Sequence, residues 1–455
     1  MILAISLGIS ALMWQVQVDQ DFFSQLYVGR GVWEGGSIYK DFTDNKGPWL
    51  YWMFALLYGV FGDNYALALV VSRGLIIGLT VWGLAEWVCI RKGTKAVWLI
   101  TILLGGLLFS LNINGVYAES LSLVLLVWGI NMIFWEKYEW AGILAVGAMF
   151  SRQTFVFFIP YLIFALNQGE EKERWLRFAR GAGLVILMTM GFLVIKGEIG
   201  AWFLNTIYFN INYARAVQEL RWNSIKSGLR DLGWNRVLYG WLIAIIGVVW
   251  EWIKKGRRSR ELLVLLVCSI GATYSGGIFY PHHFTQFLII IAGGLGVIFG
   301  EIRNIYLSGV AAVLILSSVS EIFRAYWVDG KKGWFNSLNY QPAGVESIKQ
   351  KRYLMVISYH PKFYFDYAKR SPDRYFQPFF LSRDFNVSAH KEVANHKVSM
   401  KSKLEETAFV LVRDKEVNKR LAEEYFDNFG KEFDLVKVDS RELPGGELEV
   451  YWAKK

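Results

Sequence analysis

The sequence predicts a polytopic α-helical membrane protein of about eleven transmembrane helices, followed by a small extracytoplasmic α/β domain. Three observations predict it. Apolar runs long enough, or nearly so, to cross about 30 Å of hydrocarbon recur along residues 1–320. Charge is divided unevenly: residues 1–320 hold 25 Lys/Arg and 19 Asp/Glu, whereas the far shorter 321–455 hold 24 and 20. The basic residues of the first part gather in short loops between the apolar runs. Lipid solvates the first part and water the second.

The spans are expected, in order, at 2–16, 65–90, 96–112, 118–135, 140–150, 154–167, 181–195, 234–253, 261–277, 284–300 and 305–320. The segment 48–61, Pro-Trp-Leu-Tyr-Trp-Met-Phe-Ala-Leu-Leu-Tyr-Gly-Val-Phe, reaches only about 21 Å at ~1.5 Å per residue. Its aromatic crowding suits a helix lying in the headgroup layer, with Pro48 in its first turn and Gly62 at its stop. Residues 140–167 read as two short pieces broken at Ser151-Arg152-Gln153. With both assignments, loops 91–95, 136–139, 168–180, 254–260 and 301–304 carry 14 Lys/Arg. The longer intervening loops 17–64, 113–117, 151–153, 196–233 and 278–283 carry 9. Changing either assignment would place the Lys254–Arg260 basic cluster outside, against the positive-inside rule. The N-terminus is therefore expected in the cytoplasm of a cell (inner or plasma) membrane protein, and residues 321–455 outside.

Within 321–455, Tyr353–Ser358 and Phe409–Val412 read as buried strands. Glu416–Phe429 reads as an amphipathic helix and Leu448–Trp452 as a last strand. The domains are thus 1–320, with the outer loop 17–64, and 321–455.

Other classes fall quickly. The net charge of +10 comes with no basic recognition face, so nucleic acid is not an expected partner. Cys89 and Cys268 both lie in apolar runs, which leaves no disulfide or CxxC framework. Residues 1–16 lack the basic start and the small-residue cleavage site of a signal peptide and read as a first span.

Polar residues worth explaining gather in the first outer loop. It runs Asp19-Gln-Asp21, then Tyr27-Val-Gly29-Arg30, then Gly36-Ser-Ile-Tyr39-Lys40-Asp41, then Asp44-Asn45-Lys46-Gly47-Pro48. Arg152 sits between two helices too short to span alone, and an intramembrane Arg needs an anion, whether visiting or permanent. Glu119 is the alternative permanent partner. Thr154 is expected to cap the helix that follows. His282 and His283, in Tyr280-Pro-His-His-Phe, have no carboxylate close in sequence and so read as a poor metal site. Arg73 lies near the outer start of its helix. In the loop 196–233, Trp202, Tyr208, Asn210, Asn212, Tyr213 and Arg215 suit either a sugar cleft or an interfacial helix.

An Asp just beyond the first span, then Tyr-x-Gly, Gly-x-x-Tyr-x-Asp and Asp-x-Lys-x-Pro leading into an aromatic helix, resembles the GT-C glycosyltransferases. The pattern is most similar to bacterial relatives of dolichyl-phosphate-mannose–protein mannosyltransferases and of aminoarabinose transferases acting on lipid A. At motif level it covers mainly residues 19–73, and Gly47 stands where the family usually has a first Pro. The resemblance implies an inverting transfer from a polyprenyl-phosphate sugar to a glycan, lipid or protein acceptor. It makes Asp21 the general base, with Asp19 the second candidate. Lys46 and Arg152 would bind the donor phosphate, and Tyr39, Asp41, Asp44, His282 and His283 the substrates. No cofactor is expected, although Asp19-Gln-Asp21 also spells the DxD that binds a divalent metal in some sugar transferases. The competing reading is a transporter or flippase of a lipid-linked envelope precursor, but no internal repeat supports it.

Overall fold

The computed structural model describes residues 1–12, 20–42, 44–92, 97–111, 115–168, 172–216, 233–255, 260–275, 281–301, 309, 350–356, 403, 406–414, 434–443 and 446–453. Its helices are α1 (Ile2–Leu12), α2 (Gln20–Trp33), α3 (Pro48–Phe61), α4 (Tyr65–Lys92), α5 (Val97–Leu111), α6 (Ala118–Phe134) and α7 (Tyr138–Ser151). After a 3₁₀ turn (Gln153–Phe158) come α8 (Ile159–Leu166), α9 (Lys172–Ile195) and the short α10 (Ile199–Trp202). A π turn (Phe203–Tyr208) leads into α11 (Phe209–Ala216), then α12 (Gly233–Lys255) and α13 (Arg260–Ser275). A second 3₁₀ segment (Pro281–Phe287) enters α14 (Leu288–Glu301). The expected span 305–320, apart from residue 309, and the expected helix 416–429 lie outside the described residues.

By length and composition, three described segments can cross a membrane: Tyr65–Arg91, Lys172–Ile195 and His282–Phe299. Five further described segments are shorter apolar helices, Ile2–Leu12, Pro48–Phe61, Val97–Phe109, Ala118–Phe134 and Gln153–Leu166, so the map of eleven spans rests on the charge rule. The three segments differ in surroundings. His282–Phe299 is 89% buried and sits in the centre, whereas Lys172–Ile195 is 22% buried and presents its apolar side chains outward. A helix apolar all round and unburied by protein is solvated by lipid.

Two expectations need correction. Much of the outer segment 17–47 is not loop, because Gln20–Trp33 forms α2. Its burial is the reason: Phe22, Phe23, Leu26 and Tyr27 pack into an apolar cluster with Tyr51 and Phe54 of α3, and Phe22 meets Phe54 edge-on at 5.6 Å. The basic segment 168–180 is not a loop throughout either; α9 begins at Lys172, eight residues short of its expected end.

A near-buried α6 organises the centre. Its Trp128 indole donates to Leu79 O (3.0 Å) and its Asn131 amide to Gly83 O (2.9 Å), tying it to α4. Ser122 donates to Ala148 O (2.9 Å), tying it to α7. Helices α7 and α9 cross closely because both contribute glycine: a Cβ on Gly142 would lie 2.2 Å from Phe178 O, and one on Gly181 1.9 Å from Glu139 O. Small residues at such crossings let membrane helices approach backbone to backbone.

Past residue 350, four strands form one sheet: β1 (Tyr353–Val356), β2 (Thr407–Asp414), β3 (Leu435–Leu443) and β4 (Gly446–Ala453), in the order β1-β2-β4-β3. β1 runs parallel to β2, with Met355 opposite Phe409. β4 pairs antiparallel with β2 and β3, and β3 carries an irregularity between Lys437 and Asp439. The sequence reading missed β3, a partly charged edge strand whose Val436 and Val438 are exposed. Edge strands bury little, so their hydrophobic pattern is weak.

Candidate functional site

Asp21 enters the site on the first turn of α2, opposite the face that packs on α3. Lys46 Nζ lies 3.9 Å from Asp21 Oδ1 and 3.4 Å from Asp44 Oδ1. Asp44 is fully buried and committed on both sides: Oδ2 accepts from Ser24 (3.2 Å) and Oδ1 from the Asn45 amide (2.7 Å). Burial by itself would lower the Lys46 ammonium, but the Asp21 and Asp44 carboxylates outweigh it and hold the group above its usual range. Lys46 therefore stays charged.

The turn that carries Lys46 is fastened from three directions. The Tyr39 hydroxyl donates to Lys46 O (2.9 Å), and the Tyr39 amide donates to the buried Glu198 carboxylate (2.9 Å). Burial pushes the Tyr39 phenol well above its usual range, so it remains a neutral donor. Asn45 and Asn210 of α11 exchange bonds, with Asn45 Nδ2 to Asn210 Oδ1 and Asn210 Nδ2 to Asn45 O both 3.0 Å. The Gly47 amide donates to Ser151 O (3.2 Å) at the end of α7. A Cβ on Gly47 would fall 1.7 Å from Phe150 O, which accounts for glycine at this position.

Arg152 follows at the break in the helix. Its backbone is extended (φ −143°, ψ 118°) between α7 and the 3₁₀ turn, as the sequence led one to expect. Arg152 Nε lies 3.0 Å from Glu119 Oε1, close enough for an ion pair though not aligned as a hydrogen bond. His283 Nε2 lies 3.4 Å from the same oxygen. The neighbouring His282 ring stacks on Tyr117 (4.0 Å, 11°). Both Glu119 and Arg152 act electrostatically on Lys46, so the two groups of charges form one site.

Asp21, Asp44, Lys46, Arg152, His282 and His283 are thus brought together. Asp19 lies outside the described residues. Asp41 stands apart, exposed, accepting the Ser37 amide (2.7 Å) to close its own turn. Tyr39 is buried beneath Lys46 as a support. Thr154 does not cap a helix; its hydroxyl accepts from Gln286 Nε2 (3.4 Å). Arg73 holds α4 to α1 by donating to the Ser10 hydroxyl (3.0 Å) and carbonyl (2.8 Å). Glu198 and the Asn45–Asn210 exchange were invisible in sequence, since their partners lie about 160 positions away.

Among solved structures, the chain is similar to ArnT from Cupriavidus metallidurans in the apo state, with a TM-score of 0.53 and 10% identity. The likeness covers 98% of this chain and 97% of that one. The two chains share their fold over nearly their whole length. At this identity the likeness is one of fold, and it agrees with the family that the first-loop pattern resembles. No family model and no curated protein matches the chain.

Proposed function

We propose that the chain is an inverting glycosyltransferase that moves a sugar from a polyprenyl-phosphate donor to an acceptor on the outer face of the membrane. One observation carries this reading. In a fold like that of ArnT, the α2 carboxylate Asp21 lies 3.9 Å from Lys46, and Arg152, at a break between helices, acts on the same ammonium. In the proposed reaction an acceptor oxygen or nitrogen attacks the anomeric carbon as the bond to the lipid phosphate breaks. Asp21 takes the acceptor's proton. Lys46 and Arg152 face the phosphate, whose charge grows as it leaves.

Lys46 is well suited to that work because its ammonium is kept charged and its backbone is pinned at Tyr39, so little reorganisation is needed. Arg152 must exchange Glu119 for phosphate, or share itself between them. The acceptor would approach past α10, the π turn and α11, where Trp202, Tyr208 and Asn210 lie.

The decisive experiment compares the cell-envelope glycans of strains with and without the gene, by mass analysis, with expression confirmed. A missing sugar is expected. Unchanged glycans would favour transport of a lipid-linked precursor instead.

A further inference from the structure

We propose that Glu119, His282 and His283 hold a divalent transition metal, zinc by ligand preference, at the start of α6. Taken from sequence, two adjacent histidines lacked a carboxylate. The fold supplies it: the first turn of α6 brings Glu119 against the 3₁₀ segment Pro281–Phe287, and one ligand atom from each residue lies within 4.8 Å of the others.

The distances suit a metal. With ligands about 2.0–2.1 Å from a tetrahedral zinc, neighbouring donor atoms stand about 3.4 Å apart. Glu119 Oε1 and His283 Nε2 are separated by 3.4 Å. The His282 ring is held in place by its stacking on Tyr117. Arg152, 3.0 Å from Glu119 Oε1, then serves as the outer-shell partner that orients the ligating carboxylate. Two histidines and one carboxylate leave a fourth position open to an oxygen donor, the pattern of a catalytic and not a structural zinc site.

Charge points the same way. Asp21 and Asp44 lie 3.9 and 3.4 Å from Lys46, and Glu119 lies 3.0 Å from Arg152, so three carboxylates confront two cations. One negative charge in excess favours a divalent cation and disfavours a phosphate. A bound metal would reverse that sign and prepare the site for the lipid phosphate. This second argument rests on the donor proposed above, whereas the geometric one does not.

The test uses the full chain, purified in detergent, stripped with a chelator and re-equilibrated with zinc. Elemental analysis should find about one zinc per chain, and the melting temperature should rise with zinc concentration because the metal binds the folded state. His282→Ala, which removes a half-buried ligand and leaves the Arg152–Glu119 pair in place, should fold and bind zinc at least about tenfold more weakly. Glu119→Gln should also lose zinc, while Asp21→Asn should keep it. Wild-type protein that takes up no zinc would overturn the proposal. So would zinc retained by both His282→Ala and Glu119→Gln, or lost from Asp21→Asn alone, which would place it at Asp19-Gln-Asp21. The two readings fail separately: zinc bound by a strain whose glycans never change leaves the metal site standing, and altered glycans without zinc leave the transferase standing.

Discussion

At the scale of single residues, Asp21 and Arg152 divide chemistry from support. Asp21→Asn keeps the shape of the side chain and loses the base, a role typically worth 10²–10⁴-fold. Transfer should fall by that order while donor binding stays near wild type, as read by turnover and donor affinity on one purified sample. Wild-type turnover would move the base to Asp19 or out of this segment. Arg152 is a different case because it is already paired. Glu119 is buried and the Arg152 side chain is only 12% exposed, with Arg152 Nε 3.0 Å from Glu119 Oε1, so removing Arg152 leaves an uncompensated buried carboxylate at a cost of about 3 kcal/mol. Arg152→Ala should therefore lower thermal stability sharply, and adding Glu119→Gln to it should restore part of the loss. Donor affinity of the double variant, compared with that of Glu119→Gln alone, then reports on the phosphate role of Arg152. Equal affinity in those two variants would remove Arg152 from the donor site.

Among the elements, the turn 44–47 shows how a short segment can govern a site. It carries Asp44 and Lys46, hangs from Tyr39 and Asn210, and rests on the end of α7 through Gly47. Gly47→Ala would put a methyl 1.7 Å from Phe150 O, so the turn or the helix end must shift. We expect a loss of about 1–3 kcal/mol in stability, the usual cost of overpacking. Turnover should drop up to about 100-fold, since a misplacement of about 1 Å is enough for that. A variant as active and as stable as wild type would mean that this close approach does not position Lys46. The other decisive element is the break after Ser151. It delivers Arg152 from an extended residue between two short helices, where a continuous helix would have bonded through and pointed it elsewhere.

For the molecule as a whole, orientation follows from the distribution of Lys and Arg. Reporter fusions after residues 93, 257 and 330 should report inside, inside and outside. An external reporter at 257 would overturn the eleven-span map, because the cluster Lys254–Arg260 is its strongest anchor. The sheet past residue 350 packs on the same framework. Ala408 and Val450 of its sheet are fully buried and belong to the same apolar cluster as α2 and α3.

The amino-acid sequence by itself determined the membrane class, the helix 48–61, the break at 151–153 and the polar residues of the segment 19–48. Each of these is local: a run of apolar residues, a proline, or a motif within thirty positions carries its own physical signal. It also foresaw strands at 353, 409 and 448, because buried strands are continuously apolar. The tertiary structure alone decided the rest. It made Gln20–Trp33 a helix, since its stability comes from packing on α3 and not from its own pattern. Only the fold could give His282 and His283 their carboxylate, Arg152 its partner, and the Lys46 turn its anchors at Glu198 and Asn210. Such contacts join residues 33 to 165 positions apart, and nothing in a linear pattern records a distance that only packing closes.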